Sequence, residues 1–150
     1  MQLEKSKPDG ATVLVADDDD DMRDLVVQTL RSNGYATLEV RDGAELLQLL
    51  ETTLDDPTLR PDLLVTDVRM PKLSGLGVLQ AMRRAQLSLP VVVMTAFGHD
   101  SVHTIARQLG AVGVLRKPFD PDDLLTAVRN ARLVHETRRA ALGFGPPSSR

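Results

Sequence analysis

Three aspartates stand where two apolar segments of the chain end. Asp17 and Asp18 follow the apolar run at 12–16, and Asp67 follows the run at 63–66. If these runs are neighbouring strands of a parallel sheet, the three carboxylates converge at one edge of it. Like charges held so close destabilise a fold unless a hard cation or a proton neutralises them. A divalent ion such as Mg²⁺ is the expected partner, and the site would then suit phosphate.

Two further strand ends carry groups that interact with phosphate. Thr95 follows the run at 91–94 with a hydroxyl donor, and Lys117 follows the run at 112–116 with a flexible positive charge. Asp67 is either a third metal ligand or a nucleophile that forms an aspartyl-phosphate. Together these groups would stabilise the charge of an in-line phosphoryl transfer, which depends mainly on positioning and electrostatics.

The pattern of elements predicts how these residues are positioned. Short apolar runs alternate with longer amphipathic segments, which predicts an α/β fold: a five-stranded parallel sheet with five helices, a flavodoxin-like doubly wound sandwich. A strand order of 2-1-3-4-5 would place the acid-bearing strands at the switch point, where such sheets bind ligands. The five apolar runs lie at 12–16, 35–40, 63–66, 91–94 and 112–116.

Several acids are better explained as helix starts than as ligands. Asp20 and Asp21 are expected to open the first helix, where acids suit the helix dipole, whereas Asp19 is left unassigned. Asp42 and Ser74 are predicted N-caps of the second and third helices.

Length and composition limit the class of protein. The chain has 150 residues, 42% hydrophobic and 26% charged, which is typical of one soluble globular domain. A formal charge of -3 gives no case for direct nucleic-acid binding, and no apolar window is long enough to span a membrane. Zero cysteines exclude thiol chemistry and fit a cytoplasmic protein. We expect a flexible segment at 1–10, one domain at 11–136, and a tail or linker stub at 137–150.

Four sequence blocks resemble the signatures of response-regulator receiver domains of two-component signalling, the CheY-like superfamily. Their order and spacing, over about residues 11–135, make the four together highly specific, although any one alone is weak. The blocks are Val13-Leu14-Val15-Ala16-Asp17-Asp18-Asp19, Thr66-Asp67-Val68-Arg69-Met70-Pro71, Met94-Thr95-Ala96 and Arg116-Lys117-Pro118-Phe119.

The resemblance assigns a separate role to each acid. It implies that Asp67 is the phosphoacceptor and that Asp17 and Asp18 are the acidic pair for Mg²⁺, with Mn²⁺ as a substitute. It also implies that Asp67 and the main-chain carbonyl of Arg69 ligate the metal, so the side chain at position 69 is no obstacle.

The resemblance also describes a switch, from which this chain departs at one position. Thr95 would be the switch hydroxyl and Lys117 the phosphate-contacting lysine, with a cis bond before Pro118. Many receivers carry Tyr or Phe three residues before the lysine, but here the residue is Val114. The usual relay between threonine and an aromatic ring is therefore missing, and Phe97 is a candidate substitute.

The implied function is signalling rather than enzymatic turnover. A sensor histidine kinase or phosphotransfer protein would supply the phosphoryl group. The output would be a change at the surface of the fourth helix, fifth strand and fifth helix, read by an effector domain, a target protein or a second copy in a homodimer. No membrane and no direct nucleic-acid contact by this domain are expected.

Two alternatives of other classes remain open from the residues alone. A haloacid-dehalogenase-like Mg²⁺-dependent phosphatase also uses an aspartate nucleophile, but needs a second acid two positions later, where this chain has Arg69. A nucleotide-binding or structural α/β module would need a phosphate-cradling glycine loop, and the sequence has none.

Overall fold

A computed structural model describes residues 10–96 and 100–143, and in them strands and helices alternate as predicted. The strands are β1 (Thr12–Ala16), β2 (Ala36–Val40), β3 (Leu63–Asp67), β4 (Val91–Thr95) and β5 (Gly113–Arg116). The helices are α1 (Asp20–Ser32), α2 (Gly43–Asp55), α3 (Gly75–Arg84), α4 (Asp100–Gln108) and α5 (Pro121–Ala141), with a 3-10 turn at Pro57–Leu59. Asp67 and Thr95 are thus the last residues of their strands rather than the residues that follow them.

The five strands form one parallel sheet in the order β2-β1-β3-β4-β5, which confirms the predicted topology. Ala16 is level with Thr66, and Asp67 is level with Met94, so the carboxyl ends of β1, β3 and β4 lie side by side. The three central strands are almost wholly buried, whereas β2 and β5 form the edges. This arrangement brings the predicted site residues together at the carboxyl ends of the central strands.

Side chains alternate between the two faces of the sheet and build one apolar cluster on each. Val13 and Val15 of β1 face α1 and α5, whereas Leu14 and Ala16 face α2, α3 and α4. Both clusters consist mainly of Val, Leu and Ala, as the scarcity of aromatic residues requires. The helices therefore cover both faces, in the doubly wound arrangement.

The acidic run after β1 divides between the site and the start of α1. Asp19 is the N-cap, because its side chain accepts from the backbone N–H groups of Asp21 and Met22. Asp20 and Asp21 lie in the first turn, as predicted. The side chain of the unassigned Asp19 therefore caps the helix, while its backbone N–H donates to Asp17 Oδ1 at 3.0 Å.

The last helix is longer than the sequence analysis indicates. α5 continues through Ala141, so residues 137–141, placed in the tail, are helical. This segment consists of Thr, Arg and Ala, and no helix-breaking residue follows until Gly143, which has a φ of 88°. The predicted flexible residues 1–9 and the last part of the tail lie outside the described residues.

Gly75 allows α3 to begin directly against the backbone of the site. Its N–H donates to the Val68 carbonyl oxygen at 2.9 Å, and a Cβ added at Gly75 would lie 2.3 Å from the Asp67 carbonyl oxygen. At Gly77 an added Cβ would meet the end of the Leu73 side chain at 2.8 Å instead. A side-chain terminus can rotate away, whereas the backbone of a central strand cannot.

Gly75→Ala should therefore lower the free energy of unfolding by about 1–3 kcal/mol, the usual range for an overpacked position. Gly77→Ala is the matched control in the same helical turn, and it should be neutral or gain up to about 1 kcal/mol from helix propensity. Urea unfolding followed by circular dichroism measures both. Equal losses in the two variants would show that the approach of Gly75 to Asp67 is not the constraint.

Candidate functional site

The three predicted aspartates meet at the carboxyl edge of β1 and β3. One carboxylate oxygen from each of Asp17, Asp18 and Asp67 lies within 4.8 Å of the other two. Asp17 is fully buried, Asp67 is 7% exposed and Asp18 is exposed, so the cluster is reached from one side. Hard carboxylate oxygens at this spacing are the donor set that Mg²⁺ prefers. In residues 10–96 and 100–143, this is the one group of three or more acidic or histidine side chains placed to share a metal ion.

Lys117 places a positive charge between two of these carboxylates. Its Nζ lies 3.1 Å from Asp17 Oδ2 and 3.5 Å from Asp67 Oδ2, and the side chain is 15% exposed. The Lys117 backbone N–H donates to the carbonyl oxygen of Thr95 at 2.8 Å, which fixes the loop to β4. The Lys117–Pro118 bond is cis, as the resemblance implied. The lysine therefore joins the site from a loop fifty residues beyond Asp67 in sequence.

Burial sets the proton affinity of Asp67. It raises the pKa of the Asp67 carboxyl to about 6, and the nearby Asp17 carboxylate adds to that rise. The Lys117 ammonium and a hydrogen bond from the Arg69 backbone N–H oppose it and hold the pKa down. The site therefore has the excess negative charge expected of a group of acids that awaits a cation.

The remaining predicted residues border the same group. Thr95 ends β4 beside β3, and its side chain is 6% exposed. Arg69 lies in the β3–α3 loop with its side chain in solvent, and its backbone N–H points to the Asp67 carboxylate. An open cleft beside this loop is lined by Asp18, Arg69 and Met70 among others. The metal-ligand role of the Arg69 carbonyl stays a prediction.

Arg23 is a residue of this region that the sequence analysis missed. Its guanidinium donates to the carbonyl oxygen of Asp17 at 2.8 Å and pairs with Asp20 at 2.6 Å and with Glu39 at 3.2 Å. It is 8% exposed, so this cation is held inside the protein. Arg23 thereby ties α1 and β2 to the loop that carries the acidic pair.

One signal in the sequence points to Arg23. It precedes Val26, Val27 and Leu30 by three, four and seven positions, and therefore occupies the buried stripe of α1. A charged residue in such a stripe is rare unless it has partners.

Position 114 holds valine where many receivers carry the aromatic ring of Tyr or Phe. Val114 is partly buried and packs against the cluster under α2, α3 and α4. Phe97, the candidate substitute, lies outside the described residues.

No helix in the described parts of the chain is long and apolar enough to cross a membrane.

Asp67→Asn should remove a pH dependence from the stability of the metal-free protein. The folded pKa of Asp67, about 6, exceeds its ordinary value of 3.8, so its favourable contribution is complete below about pH 4 and is lost as pH rises through 6. In EDTA the variant should match the wild type near pH 4 and exceed it by about 1–3 kcal/mol at pH 7, since a full two-unit shift corresponds to about 3 kcal/mol.

Urea unfolding at a series of pH values measures this difference. Asp24→Asn, at an exposed acid of α1, is the control and should follow the wild type throughout. A stability difference for Asp67→Asn that is the same at pH 4 and pH 7 would contradict the assignment.

Comparisons with known proteins agree with this geometry. The sequence model of the family described as "Response regulator receiver domain" matches residues 13–129. The alkaline phosphatase synthesis transcriptional regulatory protein PhoP of Bacillus subtilis (strain 168) is 33% identical over 137 residues, covering 91% of this chain and 52% of PhoP. Response regulator MprA of Mycobacterium sp. (strain KMS) is 36% identical over 136 residues, covering 91% of this chain and 54% of MprA. The chain thus spans about half the length of these curated relatives.

Solved structures of receiver domains superpose on most of the chain. The Francisella response regulator 1452 receiver domain has a TM-score of 0.74 at 27% identity and covers 83% of this chain and 99% of its own. Chemotaxis response regulator CheY4 of Vibrio cholerae has a TM-score of 0.72 at 30% identity and covers 81% of this chain and 98% of its own. The chain therefore belongs to the response regulator receiver domain family, a family of signalling modules rather than catalytic enzymes.

Proposed function

We propose that Asp67 accepts a phosphoryl group from a phosphohistidine on a sensor histidine kinase or a phosphotransfer protein, with Mg²⁺ bound. The observation that carries this is the convergence of Asp17, Asp18 and Asp67 within 4.8 Å of one another beside the ammonium of Lys117. Mg²⁺ would be held by these three carboxylates and the main-chain carbonyl of Arg69, and Mn²⁺ fits the same oxygen donors.

Each residue of the site has a separate role in an in-line transfer of the phosphoryl group. An oxygen of the Asp67 carboxylate forms the new bond to phosphorus while the bond from phosphorus to the histidine nitrogen breaks and its electron pair stays on the imidazole. Lys117 is placed to donate to one phosphoryl oxygen and the Thr95 hydroxyl to another. Bound Mg²⁺ supplies neutralisation of the phosphoryl charge. With a pKa of about 6, Asp67 is mostly ionised at neutral pH and hence nucleophilic.

The signal would be transmitted to a partner at the surface formed by α4, β5 and α5. Ile105 of α4 is 43% exposed, so α4 presents an apolar side chain at its surface. An effector domain, a target protein or a second copy of the chain would read that face, with Val114 changing how Thr95 is coupled to it. A cytoplasmic location and no direct nucleic-acid contact complete the proposal.

The domain division also remains a proposal. Residues 11–136 would form the receiver, after a flexible segment at 1–10. Residues 137–150 would form a tail or linker stub, with 137–141 as the last part of α5. Since this chain spans about half the length of the matched relatives, the activity and partners of a whole protein are not fixed by this domain.

Acetyl phosphate with Mg²⁺ should phosphorylate the wild type once, because a receiver catalyses its own modification from small donors. Intact-mass spectrometry should show an adduct of about 80 Da, one phosphoryl group, that EDTA abolishes and Asp67→Asn lacks. Asp62→Asn, at a carboxylate near the amino end of β3, is a matched control and should be modified normally.

The phosphatase alternative gives the opposite result. Sustained turnover of p-nitrophenyl phosphate without a stable adduct on Asp67 would overturn the receiver assignment. An adduct that persists in Asp67→Asn would show that another residue is the acceptor.

Arg23→Ala should weaken Mg²⁺ binding several-fold and lower the free energy of unfolding by about 1–3 kcal/mol. The buried carbonyl of Asp17 loses its donor, and the loop with the acidic pair loses its link to Glu39. Saturating Mg²⁺ should restore much of the phosphorylation rate, since the ligands themselves remain.

Arg31→Ala is the matched control for Arg23→Ala. Arg31 also links α1 to β2, by a 2.8 Å hydrogen bond from its Nε to Thr37 Oγ1, but this bond is exposed and remote from the acids. Calorimetric titration with Mg²⁺ compares the two. Equal Mg²⁺ affinity in both variants would limit Arg23 to a purely structural role.

A further inference from the structure

Two adjoining cavities lie at the amino ends of the strands, at the other end of the sheet from the acidic group. The phosphoacceptor site does not use them. They lie where β3 and β4 begin, beneath the last turns of α5, and have volumes of about 220 Å³ and 310 Å³. Both are lined by the segment 88–90 before β4 and by His135 and Arg139 of α5. The two cavities therefore share one wall.

The smaller cavity is basic. Arg60, Arg132 and Arg139 line it together with two acids, Asp62 and Glu136, so the arginines exceed the carboxylates by one charge. Both acids already have partners: Asp62 accepts from the Thr12 backbone N–H at 2.7 Å, and Glu136 lies 3.4 Å from Arg132.

One donor in the basic cavity has no acceptor. Arg60 Nε is buried and makes no hydrogen bond among the residues that the structure describes. A buried N–H without a partner destabilises a fold until an acceptor reaches it. Burial, followed by the neighbouring Arg139, lowers the pKa of His135, which leaves the arginines as the positive groups of this cavity.

The larger cavity has a mainly apolar surface, with Arg83, Arg138 and Arg139 also in its lining and no acid among the described residues that line it. Leu79, Met82 and Leu87 form its inner side, and Leu142 at the end of α5 stands at its mouth with 74% of its surface exposed. An apolar wall next to a basic one suits a ligand that is itself amphipathic. A cavity of only 220 Å³ on the charged side favours a small acidic group over a nucleotide.

We propose that this paired cavity binds a small amphipathic anion, a carboxylate with a short aliphatic chain. Its acidic group would accept hydrogen bonds from Arg60 and Arg139, and its chain would lie along Met82 and Leu87. Arginine suits this role because its planar donor fork matches a carboxylate. The net positive charge and the unused buried donor suit an acidic group, and the contiguous apolar wall suits an aliphatic chain. The proposal is independent of phosphorylation at Asp67.

Octanoate is the probe, titrated into the full 150-residue chain and followed by ¹⁵N–¹H NMR and calorimetry. We expect saturable shifts at the amides of residues 88–90 (except Pro90) and 135–142. Affinity should rise about three- to fourfold for each CH₂ added from butanoate through hexanoate to octanoate, as burial of aliphatic carbon requires. Acetate, inorganic phosphate and neutral octanol should each bind at least about tenfold more weakly than octanoate.

Variants separate the charged contact from general attraction. Arg60→Gln should weaken octanoate at least about tenfold, and Arg60→Lys should restore only part of that loss because lysine lacks the fork. Arg129→Gln, at an exposed arginine of α5 that lines neither cavity, is the control and should bind normally.

Three results would overturn the proposal. If phosphate or acetate bound as tightly as octanoate, the cavity would be a simple anion site. If octanol bound as tightly as octanoate, it would be a simple apolar cavity. Loss of affinity in Arg129→Gln equal to that in Arg60→Gln would show only diffuse charge attraction. Melting curves of each variant establish that it folds before its affinity is interpreted.

Discussion

The structure around the site depends on how one lysine balances a group of carboxylates. Asp17 is fully buried, and its carboxylate has the ammonium of Lys117 at 3.1 Å. The same ammonium reaches Asp67 at 3.5 Å, so one cation is shared by two acids, and Asp18 adds a third negative charge at the surface. A buried carboxylate without a partner would neutralise itself by taking a proton. The shared lysine keeps the group assembled while leaving it short of positive charge, which is the condition for binding a cation and then an anionic phosphoryl group.

The fold keeps that balance in place by backbone contacts from every side of the site. Lys117 is fixed through its N–H to Thr95, and the β3–α3 loop is fixed through Gly75 N–H to Val68. Arg23 fixes the β1–α1 loop through the Asp17 carbonyl. These supports contact main-chain atoms, whereas the Asp17 carboxylate is held directly, by the Lys117 ammonium at Oδ2 and by the Asp19 backbone N–H at Oδ1. Rigid positioning of this kind is what an in-line transfer requires.

The part of the site that follows from strand ends could be predicted from the sequence. Apolar runs terminate at Asp17 and Asp67, and a parallel sheet places such ends together when the two strands are neighbours, as β1 and β3 are. Arg23 could not be found this way, because its partners Glu39 and Asp17 come from different elements and become neighbours only after folding. The pKa of Asp67 depends on burial, which no spacing encodes. The end of α5 at Ala141 could not be predicted this way, because Thr137, Arg138 and Arg139 continue no apolar stripe, although Ala and Arg favour a helix.

Helix α5 runs from the carboxyl ends of the strands, where the acidic group lies, to the amino ends, where the basic cavity lies. α5 begins four residues after Lys117 at the acidic edge and ends above the basic cavity, and its 21 residues span about 31 Å at about 1.5 Å per residue. Its buried stripe, from Leu124 to Ala131, packs on β1 and β3, whose carboxyl ends lead into the acidic group, whereas Arg132 and Arg139 of the same helix line the basic cavity. A movement of α5 relative to the sheet would therefore alter both edges at once.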